Sequence, residues 1–363
     1  MGHDMNRRKF INRRKFIKVS GVTVGSLAAA ALAGCDVSPG LPWQRRGYPR
    51  YNGPLNQAQK TDNPPDDTEA LAKFVVFSDS HVDLDKPDYV DRLQNVFEDI
   101  AQFCPNNDAI IVNGDITNNG ELTEYQKFAE LAEASGFSYP EHFVLVIGNH
   151  DQYDSNESEE AVANLTDRFR DQVGLSDQRD PYYDRTVSGV HLIMMGPDRY
   201  PEGSWNNFSV SDGQVHWVED LVQADKDAGQ ISLVFLHEPL HNTVRNTEPG
   251  DFGHTDSLSD ADNDNLHQHI RTHDNMVFLS GHTHAMPDTL QLEGEGPLYV
   301  GTGSTAYCID NADDDTTGAA DISTYGSLGW EMTVWESCIR FRLRNFLTHS
   351  FEDDLGSATY QFA

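Results

Sequence analysis

Five short polar blocks constrain this chain more than any other feature: Asp79-Ser80-His81, Gly114-Asp115, Gly148-Asn149-His150-Asp151, His237 and Gly281-His282-Thr283-His284. Short runs rich in Val, Ile, Leu or Phe precede them, at 74–77, 109–112, 143–147, 231–236 and 276–279. Apolar runs of that length bounded by polar residues read as buried strands. Ligand-type side chains at five strand ends exceed what ordinary loop composition produces. Together the blocks read as a dinuclear metal centre.

The segments between the blocks set the fold class. Residues 89–103 place Val90, Leu93, Val96, Phe97 and Ile100 at helical spacing, and 121–134 put Leu122, Tyr125, Phe128, Ala129 and Ala132 on one face. Two successive strand, helix, strand units imply parallel pairing. In such sheets ligands gather at the carboxyl ends of strands, where the five blocks fall. Ser211-Asp212 caps a further helix with Val215, Val218, Leu221 and Val222 inward. Ile339, Phe341 and Leu343 alternate with Arg340, Arg342 and Arg344, which predicts a late strand with one wet face. No internal repeat interrupts this pattern, and residues 69–350 read as one α/β domain.

The N-terminus reads as an export signal rather than structure. Arg13-Arg14-Lys15-Phe16-Ile17-Lys18 is a twin-arginine pattern, Arg7-Arg8-Lys9-Phe10-Ile11 repeats it, and the following run at 19–33 is apolar and rich in Ala and Gly. That run is short for a spanning helix, which needs about 20 apolar residues. It ends in Leu32-Ala33-Gly34-Cys35, which resembles a lipobox and marks Cys35 for lipidation. Residues 1–34 are then a signal peptide and 35–68, with six prolines from Pro39 to Pro65, a tether. Residues 351–363 are expected to be a C-terminal tail. The expected location is the outer face of the cell membrane, held by a lipid anchor.

The chain carries 26 basic and 58 acidic residues, and without residues 1–34 it keeps 19 and 57, a net charge near -38. Such self-repulsion disfavours a compact state in dilute buffer, whereas at molar salt the Debye length falls to about 3 Å. Lysine persists only at Lys60, Lys73, Lys86, Lys127 and Lys226, the composition of a salt-adapted protein. No basic stripe is available to displace phosphate counterions, so no nucleic-acid-binding surface is expected. Oligomeric state is not legible here. Cys308 and Cys338 could pair outside the cell or remain buried thiols. The acidic stretches 260–265 and 310–321 lack the glycine turn and closing Glu of an EF-hand loop. Asn156, Asn164 and Asn207 open glycosylation sequons.

A carboxylate shared between two cations can hold them about 3.5–4 Å apart, and Asp115 is the candidate bridge. The set mixes imidazole, carboxylate and amide and contains no sulfur, which suits two divalent transition-metal ions, Mn, Fe, Zn or Co, better than calcium. A hydroxide shared by both would be the nucleophile. His191, His216, His254 and the trio His267, His269 and His273 lack such context, and the trio is expected to be solvated.

The order D-x-H, G-D, G-N-H-D, H, G-H-x-H resembles the calcineurin-like metallophosphoesterase superfamily. The resemblance implies a four-layer α/β/β/α sandwich of two mixed sheets and hydrolysis of phosphoric esters. It implies Asp79, His81, Asp115 and His284 around one metal and Asp115, Asn149, His237 and His282 around the other. His150 would stand beside the centre and protonate the leaving oxygen. Purple acid phosphatases carry Gly where this chain has His81 and Tyr where it has Asn118. Protein Ser/Thr phosphatases continue the second block with Asp-Arg-Gly, whereas Ile116 and Thr117 follow Asp115 here. The run from Gly114 to Asp151, with Thr117, Gly120 and Tyr125, is most similar to class III cyclic-nucleotide phosphodiesterases. The function implied is hydrolysis of small phosphodiesters or phosphomonoesters. The alternative is a catalytically silent envelope protein that binds a phosphorylated ligand or partner.

Overall fold

Residues 57–153, 158–175, 180–200, 208–255, 257–309 and 326–363 are described by the structure, a computed structural model. The expected signal segment, Cys35, the Asn156 and Asn207 sequons and the acidic stretch 310–321 lie outside them.

The first half runs β1 (Gln59–Lys60), β2 (Ala72–Phe77), α1 (Pro87–Phe103), β3 (Ala109–Asn113), α2 (Leu122–Ala134), β4 (Phe143–Val146) and α3 (Glu159–Gln172). Then come β5 (Tyr183–Val187), β6 (Val190–Met194), α4 (Asp212–Asp227), β7 (Ser232–Phe235), α5 (Phe252–Thr255), α6 (Asp260–Ile270) and β8 (Met276–Ser280). The chain closes with β9 (Thr289–Gln291), β10 (Leu298–Gly301), β11 (Leu328–Val334), β12 (Cys338–Asn345), β13 (Ser350–Phe351) and β14 (Ala358–Gln361).

Two mixed sheets result. The first has the order β1-β14-β12-β11-β2-β3-β4, with β13 on β12, and the second β5-β6-β7-β8-β10-β9. The pairs β2/β3 and β3/β4 are parallel, as the two strand, helix, strand units require, and so are β6/β7, β7/β8 and β8/β10.

Period-two alternation explains the layering. Phe74 and Val76 of β2 join Leu233 and Phe235 of β7 and Val277 and Leu279 of β8 in one core between the sheets. Their neighbours Val75 and Phe77 point the other way, onto Leu93, Val96, Phe97 and Ile100 of α1 and Phe128 of α2. Val234 and Phe278 likewise meet Val218 and Val222 of α4 and Leu266 and Ile270 of α6. The layers are therefore helix, sheet, sheet, helix. Each fully buried Leu, Val or Phe contributes roughly 1.5–3 kcal/mol relative to exposure. Among the described residues, no helix is long and apolar enough to cross a membrane.

Several local expectations are corrected. Leu122 is 44% exposed, because it is the first residue of α2 and precedes the buried turn. The strand β12 is not simply wet on its arginine face: Arg344 is buried and makes a bidentate pair with Asp99 of α1 at 2.8 and 2.7 Å. Arg340 and Arg342 do reach the surface, where they meet Asp67 and Asp353. The sheet also extends past both expected ends of the domain, since β1 pairs with β14 and β14 with β12. Tyr360 and Phe362, in the segment expected to be a tail, are buried at the edge of the inter-sheet core. Cys338 is a buried thiol in β12, so the Cys308–Cys338 bond is not formed. The expected solvated trio is only partly so: His267 and His273 are buried, with His267 Nε2 2.9 Å from the Glu295 carboxylate. The acidic stretch at 260–265 opens α6, and Asn164 lies exposed on α3.

Candidate metal centre

All five blocks converge where β2, β3 and β4 of one sheet and β7 and β8 of the other end. The loops leaving β2 and β3 continue to pair after their strands stop. Asp79 and His81 donate their backbone N–H groups to the carbonyls of Gly114 and Asp115, at 3.0 and 2.9 Å. The backbone of the ligand loops is unusual. Asp79, His81, Asp115, His282 and His284 have φ of 53°, 43°, 50°, 64° and 50°, the left-handed region that non-glycine residues avoid.

Glycines admit the close approaches. A Cβ at Gly114 would stand 2.2 Å from the His237 ring, and one at Gly148 would stand 2.2 Å from Asp115. Neither position tolerates a side chain while the blocks stay in contact.

Hydrogen bonds fix which atom of each side chain faces the centre. Oδ2 of Asp79 accepts from the Ser78 hydroxyl and from the His282 N–H at 3.2 Å, which leaves Oδ1 directed inward. Oδ1 of Asp115 accepts from the His150 N–H at 2.8 Å, and its Oδ2 lies 3.5 Å from His81 Nε2 and 3.3 Å from His237 Nε2. His237 Nδ1 donates to the Asn113 carbonyl at 2.7 Å and His284 Nδ1 to the Tyr307 carbonyl at 3.0 Å, so each presents Nε2 inward. Second-sphere bonds of this kind orient imidazole ligands of metals. His81 Nε2 and His284 Nε2 are 3.0 Å apart, and His284 Nε2 is 3.2 Å from Asp79 Oδ1. His282 Nδ1 lies 3.2 Å from Asn149 Oδ1.

Two groups of converging ligand atoms follow, Asp79, His81, Asp115 and His284, and Asp115, His237 and His282, with Asp115 in both. Asn149 extends the second through its contact with His282. Asp79 Oδ1 and His237 Nε2 are fully buried and lack a well-formed hydrogen bond, their nearest polar neighbours being other ligand candidates, His284 Nε2 at 3.2 Å and Asp115 Oδ2 at 3.3 Å. Buried polar atoms left in that state cost about 1–3 kcal/mol each, and cations between them would remove the cost. The donors are nitrogen and oxygen with no sulfur, which fits divalent transition metals.

The electrostatics match that reading. Burial pushes the Asp79 carboxyl up, but the neighbouring His284 and His237 hold it below the usual carboxylate range. Asp115 is likewise held low against burial, chiefly by His237 and His150. Burial opposes charge on His237, yet Asp115 and Asp79 lift it to about 10. Burial and the charge on His237 push His282 down to about 3. Two buried anions thus keep a proton on one imidazole where the arrangement calls for a cation.

His150 stands at the rim, half-buried, its ring 4.5 Å from that of His81 and its Nδ1 2.9 Å from the Asn118 carbonyl oxygen. Asp151 does not reach the centre. It is a buried clamp that accepts from the N–H groups of Gly148, Ile116 and Thr117 and from the hydroxyls of Thr117 and Tyr125, which ties the second block to the third.

Sequence reasoning missed three contributors. Glu238 is fully buried with its carboxylate 3.4 Å from His282 Nε2. Tyr307 stacks on His284 with ring centroids 4.1 Å apart. Ser304 donates to the Asp79 carbonyl at 3.1 Å. The last two belong to a sixth strand end, since 302–307 follows β10, the parallel neighbour of β8. The Gly-Thr-Gly-Ser-Thr run at 301–305 was the available signal.

A family model described as calcineurin-like phosphoesterase matches residues 72–286, the stretch that carries every ligand candidate. No curated protein matches the chain. Among solved structures, a dimetal phosphatase from the zebrafish Danio rerio is similar at 12% identity and TM-score 0.55, over 81% of this chain and all of that one. A purple acid phosphatase from yellow lupin, Lupinus luteus, is similar at 14% identity and TM-score 0.53, over 79% of this chain and 53% of that one. At these identities the likeness is one of fold.

Proposed function

The chain belongs to the calcineurin-like phosphoesterase family, and on that premise we propose that it hydrolyses small phosphodiesters or phosphomonoesters at a dinuclear centre shared by its two sheets. The observation that carries the reading is the position of Asp115 Oδ2, between His81 Nε2 at 3.5 Å and His237 Nε2 at 3.3 Å. Asp79, His81, Asp115 and His284 would hold one divalent transition-metal ion, and Asp115, Asn149, His237 and His282 the other. When bound, the two ions supply Lewis acidity toward the phosphoryl oxygens and an activated water.

The chain's own residues do the remaining work. Glu238 orients the His282 ring from behind, and the Asn113 and Tyr307 carbonyls fix the tautomers of His237 and His284. His150, positioned through Asn118, faces the rim, where it can deliver a proton to the leaving oxygen. His81 and Asn118 stand where a purple acid phosphatase has Gly and Tyr, and no Arg follows Asp115. These residues favour the phosphodiesterase-like branch. The sequence signals add that the domain is exported, lipid-anchored at Cys35 and works in salt; loss of membrane association in Cys35→Ala tests the anchor.

The decisive experiment is a hydrolysis screen at molar salt, comparing bis-ester with mono-ester substrates across Mn, Fe, Zn and Co. Metal-dependent turnover that disappears in Asp115→Ala and in His237→Ala is the expected result. Metal-loaded protein that binds phosphate esters tightly yet turns none over would favour the silent binding protein instead.

A further inference from the structure

A second cluster of ligand-type side chains lies in the loop that leaves β7. His241, His254 and Asp260 each place one ligand atom within 4.8 Å of the others. They come from three different stretches: His241 follows the strand end, His254 lies on the short α5, and Asp260 is the first residue of α6.

The two imidazoles are prepared in the way metal ligands are. His254 Nδ1 lies 3.2 Å from the Thr247 carbonyl oxygen, and His241 Nε2 lies 3.3 Å from the Ser257 hydroxyl. Each bond commits one ring nitrogen and leaves the other to act as a ligand, the second-sphere pattern of imidazole sites. His241 Nδ1 is turned toward Asp260 Oδ1 at 3.8 Å. The rings lie 3.9 Å apart by centroid.

We propose that His241, His254 and Asp260 form a third, mononuclear site for a zinc-type divalent ion, which clamps the loop between β7 and α6. Two nitrogens and one carboxylate oxygen with a fourth position open to solvent is a three-ligand zinc arrangement. With bonds of about 2.0–2.1 Å, tetrahedral ligand atoms stand roughly 3.4 Å apart. The ligand atoms therefore need to close by an ångström or so while the two rings, 3.9 Å apart by centroid, splay about the ion. His241 is 6% exposed and anchored through its N–H to Asn263, whereas the Asp260 side chain is 68% exposed.

The clamp would bear on the dinuclear centre without sharing a ligand with it. A Cβ at Gly253, beside His254, would come within 2.8 Å of Thr283 Cγ2, and Thr283 stands between His282 and His284. Fixing this loop therefore fixes one wall over the ligand loop.

The test counts ions. Full-length protein loaded with Zn²⁺ and freed of loosely held metal is expected to retain three ions per chain by mass spectrometry, and Asp260→Asn or His254→Asn two. In an Asp115→Ala, His237→Ala background the third site is read alone: one ion is retained, and Asp260→Asn removes it. Co²⁺ in that background should show the visible absorption of a tetrahedral ion, lost with the same substitution. Stripping the ion should also speed proteolytic cleavage within 242–259. Asp260→Asn keeps the size and shape of the side chain, and a thermal melt of each variant shows that the ions are counted on folded protein. The proposal is overturned if the background variant retains no ion, or if its ion content is unchanged by both Asp260→Asn and His254→Asn. Neither outcome bears on phosphoester hydrolysis.

Discussion

The strand ends of the first sheet bring Asp79, Asp115, Asn149 and His81 to the centre, while those of the second bring only His237, His282 and His284. One sheet thus presents both carboxylates of the candidate ligand set; the candidate ligands of the other are all imidazoles, with Glu238 behind them. Each group of converging ligand atoms draws on both sheets. The anions of the first sheet raise His237 of the second to about 10 and hold His284 above its ordinary value. Joining the sheets therefore creates both the ligand set and the demand for positive charge. Cation binding and the docking of the two sheets are linked equilibria.

The sharpest way to break this asymmetry is to remove one ligand from each side. Asp115→Ala, which strikes the shared anion, should lose both ions and at least about 10³-fold in hydrolysis, some 4 kcal/mol in the barrier. His237→Ala should lose one ion and keep the Asp79, His81, His284 group loaded. Metal counts per chain separate the two; equal loss in both variants would mean that the sheets do not divide the work in this way.

The next largest effect lies outside the centre. Arg344→Met removes the bidentate partner of the buried Asp99 carboxylate and leaves it only His349 Nδ1 at 2.8 Å, which should cost about 3 kcal/mol of stability, seen as a lower denaturation midpoint. Metal content at low temperature should be unchanged, because that pair joins β12 to α1 on the side away from the second sheet.

Glu238 is the one carboxylate that the second sheet supplies near the ligands. Glu238→Gln should weaken metal binding by about 10–100-fold, measured by competition with a chelator, while the melting temperature of the metal-free chain stays within a degree or two. A fall in stability with unaltered affinity would reduce Glu238 to a packing residue.

A pH-dependent effect of similar size concerns Asp288, just before β9 at the edge of the second sheet. Burial raises its carboxyl to about 6, with Arg245 opposing. A raised carboxylate binds its proton more tightly in the folded state, so its contribution is most favourable below pH 4 and is lost as pH rises toward 6. The wild-type minus Asp288→Asn difference in unfolding free energy should fall by about 2–3 kcal/mol across that window and stay flat above it. A difference that does not change with pH would show that Asp288 ionises freely.

Much of this was legible because strands and ligands adjoin in sequence. Phe74 to Phe77 and the block after it needed only period-two reading and residue type, and α1 and α4 announced themselves by helical spacing. What escaped depends on partners far along the chain. Arg344 reads as one of three surface arginines until Asp99, distant in sequence, is packed beneath it. Glu238 is one residue from a ligand, but nothing local says that its carboxylate meets His282. The strand at Ala358–Gln361 is too short to distinguish from a tail without the β12 edge it completes. His267 needed Glu295 before burial made sense.

The left-handed backbone at Asp79, His81, Asp115, His282 and His284 has a consequence for durability. Each such residue holds a conformation that costs a side-chain-bearing residue roughly 1–2 kcal/mol and glycine far less. Replacing Asp115 or His282 by Gly would abolish the chemistry and relax the chain at once. In a metal-free population screened only for survival on heating, the inactive variants would outlast the active parent. The centre would be the first thing erased.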